Sequence, residues 1–173
     1  MLYDLDSIET HGGSNRYWLM LDESGVTQSE SLKTEIQKEI LGKLFEPSTW
    51  INQQEIVKDY LAAFRQFLEA QINLGKTLVG YGAAAKASTL INSAQIDKKL
   101  LPSIADVSFE KQGRFMPSKN IQIISPQNLV SMRPDIIVLF VWNISSEILQ
   151  WVNANGLSET EVWQTIPELK RIH

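Results

Sequence analysis

The stretch Thr77-Leu78-Val79-Gly80-Tyr81-Gly82-Ala83-Ala84-Ala85-Lys86 constrains this chain more than any other. A short apolar run meets two glycines, and an alanine-rich, helix-forming segment follows. A strand that turns this sharply into a helix leaves the first backbone N–H groups of the helix unpaired and converging on one spot. The helix dipole adds partial positive charge there, so the spot favours an anion, phosphate above all. Gly80 and Gly82 take turn geometries that other residues resist and let a ligand approach the backbone. Lys86 adds a full positive charge one turn into the helix. The run Gly80–Ala85 fits G-x-G-x-x-A, a form of the dinucleotide fingerprint, and Asp106 falls about where that fingerprint places a ribose-binding acid. The competing reading is that the glycines only allow tight strand–helix packing.

From residue 76 onward the pattern alternates. Strands are predicted over residues 77–79, 103–107, 121–124, 135–141 and 162–166, and helices over 83–95, 126–132 and 144–155. The strands are nearly continuous apolar runs, the mark of a sheet covered on both faces. The expected fold class is α/β, a Rossmann-like, doubly wound and mostly parallel sheet. A β-hairpin and a long helical segment precede it. Leu2, Tyr3, Leu5 and Ile8, then Tyr17-Trp18-Leu19-Met20-Leu21, read as strands around a turn at residues 10–14. A lone hairpin is marginal in water, so this one is expected to join a larger sheet. Residues 29–74 are helical by spacing, with a break at Pro47-Ser48; the stripe Ile56, Tyr60, Ala63, Phe64, Phe67, Leu68, Ile72 reads as a core-facing helix ended by Gly75. The expected divisions are residues 1–23, a helical connector over 24–75, and the Rossmann-like domain over 76–173.

Composition narrows the chemistry. The 173 residues contain no cysteine, which excludes disulfides, thiolate catalysis and cysteine-based zinc sites. The two histidines are His11 and the terminal His173, so no metal site is expected. A formal charge of −4 argues against nucleic acid as a partner. No signal peptide or membrane span is legible, and a cytoplasmic location with no membrane partner is expected.

Further candidates lie beyond the carboxyl ends of the predicted strands, where open parallel sheets bind ligands. Lys111 and Arg114, in the loop Glu110-Lys111-Gln112-Gly113-Arg114, have the charge to neutralise a diphosphate, Arg114 by a two-pronged contact. The alternative is an ordinary solvated basic loop. Trp142-Asn143 closes the strand at 135–141 and offers a ring and an amide for a base or sugar; otherwise Trp142 covers the core. In either case Asn143 is expected to cap the following helix. His11 is the one histidine placed for proton transfer, although no nucleophile partner is legible and a turn histidine is often structural.

In this order the pieces resemble the C-terminal part of sugar C-methyltransferases. The matching residues are Glu9-Thr10-His11-Gly12-Gly13-Ser14-Asn15-Arg16, then Gly80–Lys86 with Thr89-Leu90-Ile91-Asn92. Asp106, Lys111-Gln112-Gly113-Arg114 with Pro117, Ser125-Pro126, Pro134-Asp135 and Trp142-Asn143 with Glu147-Ile148 complete the set. The resemblance spans almost the whole chain. It departs at Ala87-Ser88, where the family has Gly-Asn after the lysine. It implies a domain that holds a nucleotide diphospho-sugar through Gly80, Tyr81, Gly82, Ala83, Ala84, Lys86, Thr89, Asp106, Lys111, Gln112, Arg114, Trp142 and Asn143.

The family's zinc-binding segment, its S-adenosylmethionine (SAM) domain and its acid–base residues are expected upstream. The chain is therefore expected to bind no cofactor itself, to lack catalysis alone, and to be the rear portion of a SAM-dependent enzyme or a separately encoded subunit. By the same resemblance residues 1–23 would be the last hairpin of the SAM-domain sheet. The hairpin would pair with that missing domain or subunit, with a second copy of the chain, or with the body of this one. Two other readings stand beside this: a small NAD(P)-binding oxidoreductase domain, and a non-enzymatic nucleotide-binding or interaction module.

Overall fold

The computed structural model describes residues 1–10, 13–22 and 25–173. The chain divides into two compact units, Met1–Val57 and Lys58–His173.

The first unit holds an antiparallel hairpin, β1 (Leu2–Ile8) and β2 (Ser14–Leu19), then α1 (Glu30–Leu41) and the start of α2 (Pro47–Asn73). Ser29 caps α1, its hydroxyl accepting from the Leu32 N–H at 3.2 Å. The Asp4 carboxylate accepts from the Ser29 and Ser31 hydroxyls and the Leu5 N–H, which hold its pKa below the ordinary value. Leu5 and Leu32 are the buried apolar residues of this unit. The hairpin forms a two-stranded sheet of its own beside α1. Leu19, Leu41, Phe45 and Ile51 are all exposed in the described unit.

The second unit is a six-stranded sheet of order β5-β4-β3-β6-β7-β8. Its strands are β3 (Leu78–Tyr81), β4 (Ser103–Ala105), β5 (Gln122–Ile124), β6 (Ile136–Leu139), β7 (Glu161–Gln164) and β8 (Lys170–Arg171). The first five are parallel and β8 is antiparallel to β7. This is the doubly wound order of a Rossmann-like fold, and the strand order reverses between β3 and β6. Period-two alternation sends Leu78, Ile136, Val138 and Phe140 to one face, against Phe64 and Leu68 of α2 and the apolar side of α3 (Ala85–Ser93). Val79, Tyr81, Ile137 and Leu139 face α4 (Pro126–Met132) and α5 (Ser145–Ala154). Both faces are covered, which explains the unbroken apolar strands.

Three local expectations need correction. Only the C-terminal half of the α2 stripe is core: Phe64 and Leu68 are buried, whereas Ile56 and Ala63 are exposed. Asn143 does not cap α5; it lies in a 3₁₀ turn over Trp142–Ile144, and the cap position falls on Ile144, which offers no side-chain hydrogen bond. Strand β8 lies beyond the last strand predicted, because two residues carry no periodicity. Among the described residues, no helix is long and apolar enough to cross a membrane.

Candidate functional site

The turn after β3 is set by contact with its neighbours. Gly82 has φ +96°, in the region favouring glycine, and its N–H donates to the Ala105 carbonyl at 2.8 Å. A Cβ at Gly82 would stand 2.4 Å from Val141 Cγ1, and one at Gly80 2.9 Å from Ile104 Cγ1. Close packing therefore accounts for both glycines, and the Val141 side chain fills the space facing Gly82. The open volume lies further along, where α3 begins. Ala84 occupies the cap position with extended backbone and no side-chain hydrogen bond, so no side chain caps the start of α3.

A cavity of about 540 Å³ opens beside that helix start. It is bordered by Ala83, Ala84, Ala85 and Ser88 on one side. On the other stand Lys111, Arg114 and Phe115 of the loop between β4 and β5. Met116, Pro117 and Ile123 complete an apolar wall, and Glu110 is the one acid on the lining. The volume falls within the roughly 300–1,000 Å³ of small-molecule pockets.

Asp106 organises that loop. Its carboxylate accepts the Ser108 N–H at 2.9 Å and pairs with Lys111 Nζ at 3.1 Å, while its backbone carbonyl accepts from Gln112 Nε2 at 2.9 Å. Lys111 Nζ also donates to the Ala83 carbonyl at 2.9 Å, tying the loop to the turn after β3. Lys111 is thus occupied by the protein itself. Arg114 lines the cavity, is exposed, and has no side-chain hydrogen bond or ion pair among the described residues.

The structure gathers Ala83, Ala84, Lys111 and Arg114 at the cavity and leaves other sequence candidates off its lining. Lys86 is exposed with its ammonium 4.7 Å from the centre of the Trp142 ring, a cation–π contact. Asn143 is exposed beside that pair. The Thr89 hydroxyl donates within its own helix to the Ala85 carbonyl. Tyr81 is buried against Trp151, with ring centres 5.3 Å apart; burial and then the Asp106 charge push its pKa up. His11 lies outside the described residues. Ser88, Phe115 and Met116 border the cavity but were missed among the site candidates; the one sequence signal for Phe115 is its place directly after the basic loop. Among the described residues no cluster of His, Cys, Asp or Glu is arranged to hold a metal ion.

Comparison with known proteins places this geometry in a family. The family profile of the C-methyltransferase C-terminal domain matches residues 9–167. The C-methyltransferase NovU of Streptomyces niveus is 32% identical over 88 residues, a stretch covering 51% of this chain and 21% of NovU. Among solved structures, UDP-D-quinovosamine 4-dehydrogenase of Vibrio fischeri aligns with a TM-score of 0.44 at 18% identity, over 57% of this chain and 93% of the other. The profile takes in β2, the glycine turn, the Asp106 loop and all the parallel strands, and the chain belongs to the family of C-methyltransferase C-terminal domains.

Proposed function

We propose that this chain is the substrate-holding part of a SAM-dependent C-methyltransferase acting on a nucleotide diphospho-sugar. The observation that carries the reading is the cavity of about 540 Å³ bordered at once by the uncapped start of α3 and by Arg114. Helix N–H groups and a guanidinium converging on one open space suit a diphosphate. Lys111, fixed by Asp106 and the Ala83 carbonyl, keeps the Arg114 loop in place. SAM supplies the methyl group in the complete enzyme. There the sugar carbon beside a keto group would give up a proton and take the methyl that SAM would supply, while Arg114 and the start of α3 would hold the sugar's diphosphate. Holding the sugar for that transfer is a rate contribution of its own, and this chain alone does not methylate.

The exposed apolar residues of the first unit, among them Leu19, Leu41, Phe45 and Ile51, support a second element of the reading. They suit a surface that another folded body covers, here the SAM-binding part of the enzyme.

An NAD-binding reading has the strand order in its favour. Against it, the Asp106 carboxylate is engaged by Lys111 and the Ser108 N–H instead of being presented to a ribose. Titration calorimetry against dTDP, NAD and SAM separates the possibilities. Binding of dTDP without NAD or SAM is the expected result, and NAD binding without dTDP would reverse the assignment.

A further inference from the structure

Anion binding leaves one part of the cavity without a purpose. Phe115 lines it and is 58% exposed. Its backbone is held in place: Phe115 forms an antiparallel bridge with Gln122. On either side, the Ile123 N–H donates to the Arg114 carbonyl at 2.8 Å and the Met116 N–H to the Ile121 carbonyl at 2.8 Å. The backbone beneath a large aromatic ring is thus held, and the ring is left facing solvent. The other aromatic candidate, Trp142, does not line the cavity, and the Lys86 ammonium stands 4.7 Å from its ring centre.

We propose that Phe115 is the stacking platform for the nucleobase of a nucleoside diphosphate whose phosphates meet Arg114 and the start of α3. The inference rests on the reading of this cavity as a diphosphate site. An exposed aromatic face on a held backbone, an apolar wall of Met116, Pro117 and Ile123, and a free guanidinium in one cavity suit a ligand that is flat and weakly polar at one end and anionic at the other. Stacking on an aromatic side chain holds any base through its π face, so the platform adds affinity without requiring particular hydrogen-bonding edges.

The test is calorimetry of the full chain with dTDP and with inorganic pyrophosphate, comparing the parent, F115L and F115W. F115L keeps the apolar contact and removes the aromatic face; it is expected to bind dTDP about tenfold more weakly and pyrophosphate as the parent does. F115W is expected to bind dTDP as the parent does. Parental dTDP affinity in F115L overturns the base platform while leaving the phosphate site standing. A parent that binds neither dTDP nor pyrophosphate overturns the diphosphate site, and the platform with it. Should F115L fail to fold, saturation-transfer NMR on the unaltered chain decides. Transfer from aromatic protein protons strongest at the base protons of dTDP supports the platform, and transfer strongest at the deoxyribose overturns it.

Discussion

Lys111 and Arg114 are cations of one loop with opposite duties. Lys111 is bound to Asp106 and to the Ala83 carbonyl, so removing it loosens the loop. Arg114 is unpaired among the described residues and faces the cavity, so removing it withdraws charge from the ligand. R114A should keep the parental melting temperature, lose roughly 1–3 kcal/mol of dTDP binding, and show a flatter dependence of affinity on salt. K111M should lower the melting point, with a loss of unfolding free energy of at most about 1 kcal/mol, since that lysine is partly solvated. Its dTDP affinity should also fall, but the salt dependence should stay parental. Melting curves together with calorimetry at two salt concentrations check both. A flattened salt response in K111M would mean that Lys111 touches the phosphates directly.

At the scale of elements, the first unit contrasts with the sheet unit. Its buried apolar residues are Leu5 and Leu32, whereas every other buried apolar residue of the described chain lies in Lys58–His173. The sheet unit therefore carries its own core. Removing residues 1–57 should leave the melting temperature and dTDP affinity near parental values and raise solubility, because exposed Leu41, Phe45 and Ile51 leave with the segment. Circular dichroism melts and calorimetry on the shortened chain measure this, and loss of a cooperative transition would show that the first unit is part of the core. Elements with strong local signals were legible in advance. Helix α4 was predicted at its observed bounds, because Ser125 caps it through the Asn128 N–H and Pro126 opens it. The end of the α2 stripe at Ile56 was not, since amphipathic spacing says which residues share a face and not whether anything covers it.

For the molecule as a whole, stability is tied to pH at two limits. Near the start of β6, the Asp135 carboxylate accepts the Thr77 N–H and hydroxyl, each at 2.7 Å. At the start of β7, Glu161 accepts from Trp163 Nε1 at 2.8 Å and Lys76 Nζ at 2.9 Å. For Asp135 the Thr77 backbone N–H, and for Glu161 the Trp163 side chain, is the foremost cause of a pKa below the ordinary 3.8 and 4.5. A lowered carboxylate pKa gives stability that is present above those ordinary values and lost as pH falls through the lowered ones. Denaturant midpoints should drop in acid, and D135N with E161Q should flatten that limb. Tyr60, whose hydroxyl donates to the Thr165 carbonyl, has its pKa pushed by burial to about 12. Its stabilising share is complete below pH 10, the ordinary value, and declines as pH rises from there to about 12. Y60F should remove that alkaline decline; an unchanged limb in either variant would reject the assignment.

The order of apolar runs and breaks determined the doubly wound sheet, because period and polarity are local properties that each segment carries with it. The same reasoning located the strand–turn–helix at Gly80–Lys86 and the basic loop around Arg114. What only the tertiary structure decided is which of these groups are free to meet a ligand. Gly82 lies against Val141, Lys111 is held by Asp106, Lys86 stands over Trp142, and Phe115 borders the open space. Such pairings depend on which residues distant in the chain come within a few ångströms, and no local pattern encodes that distance.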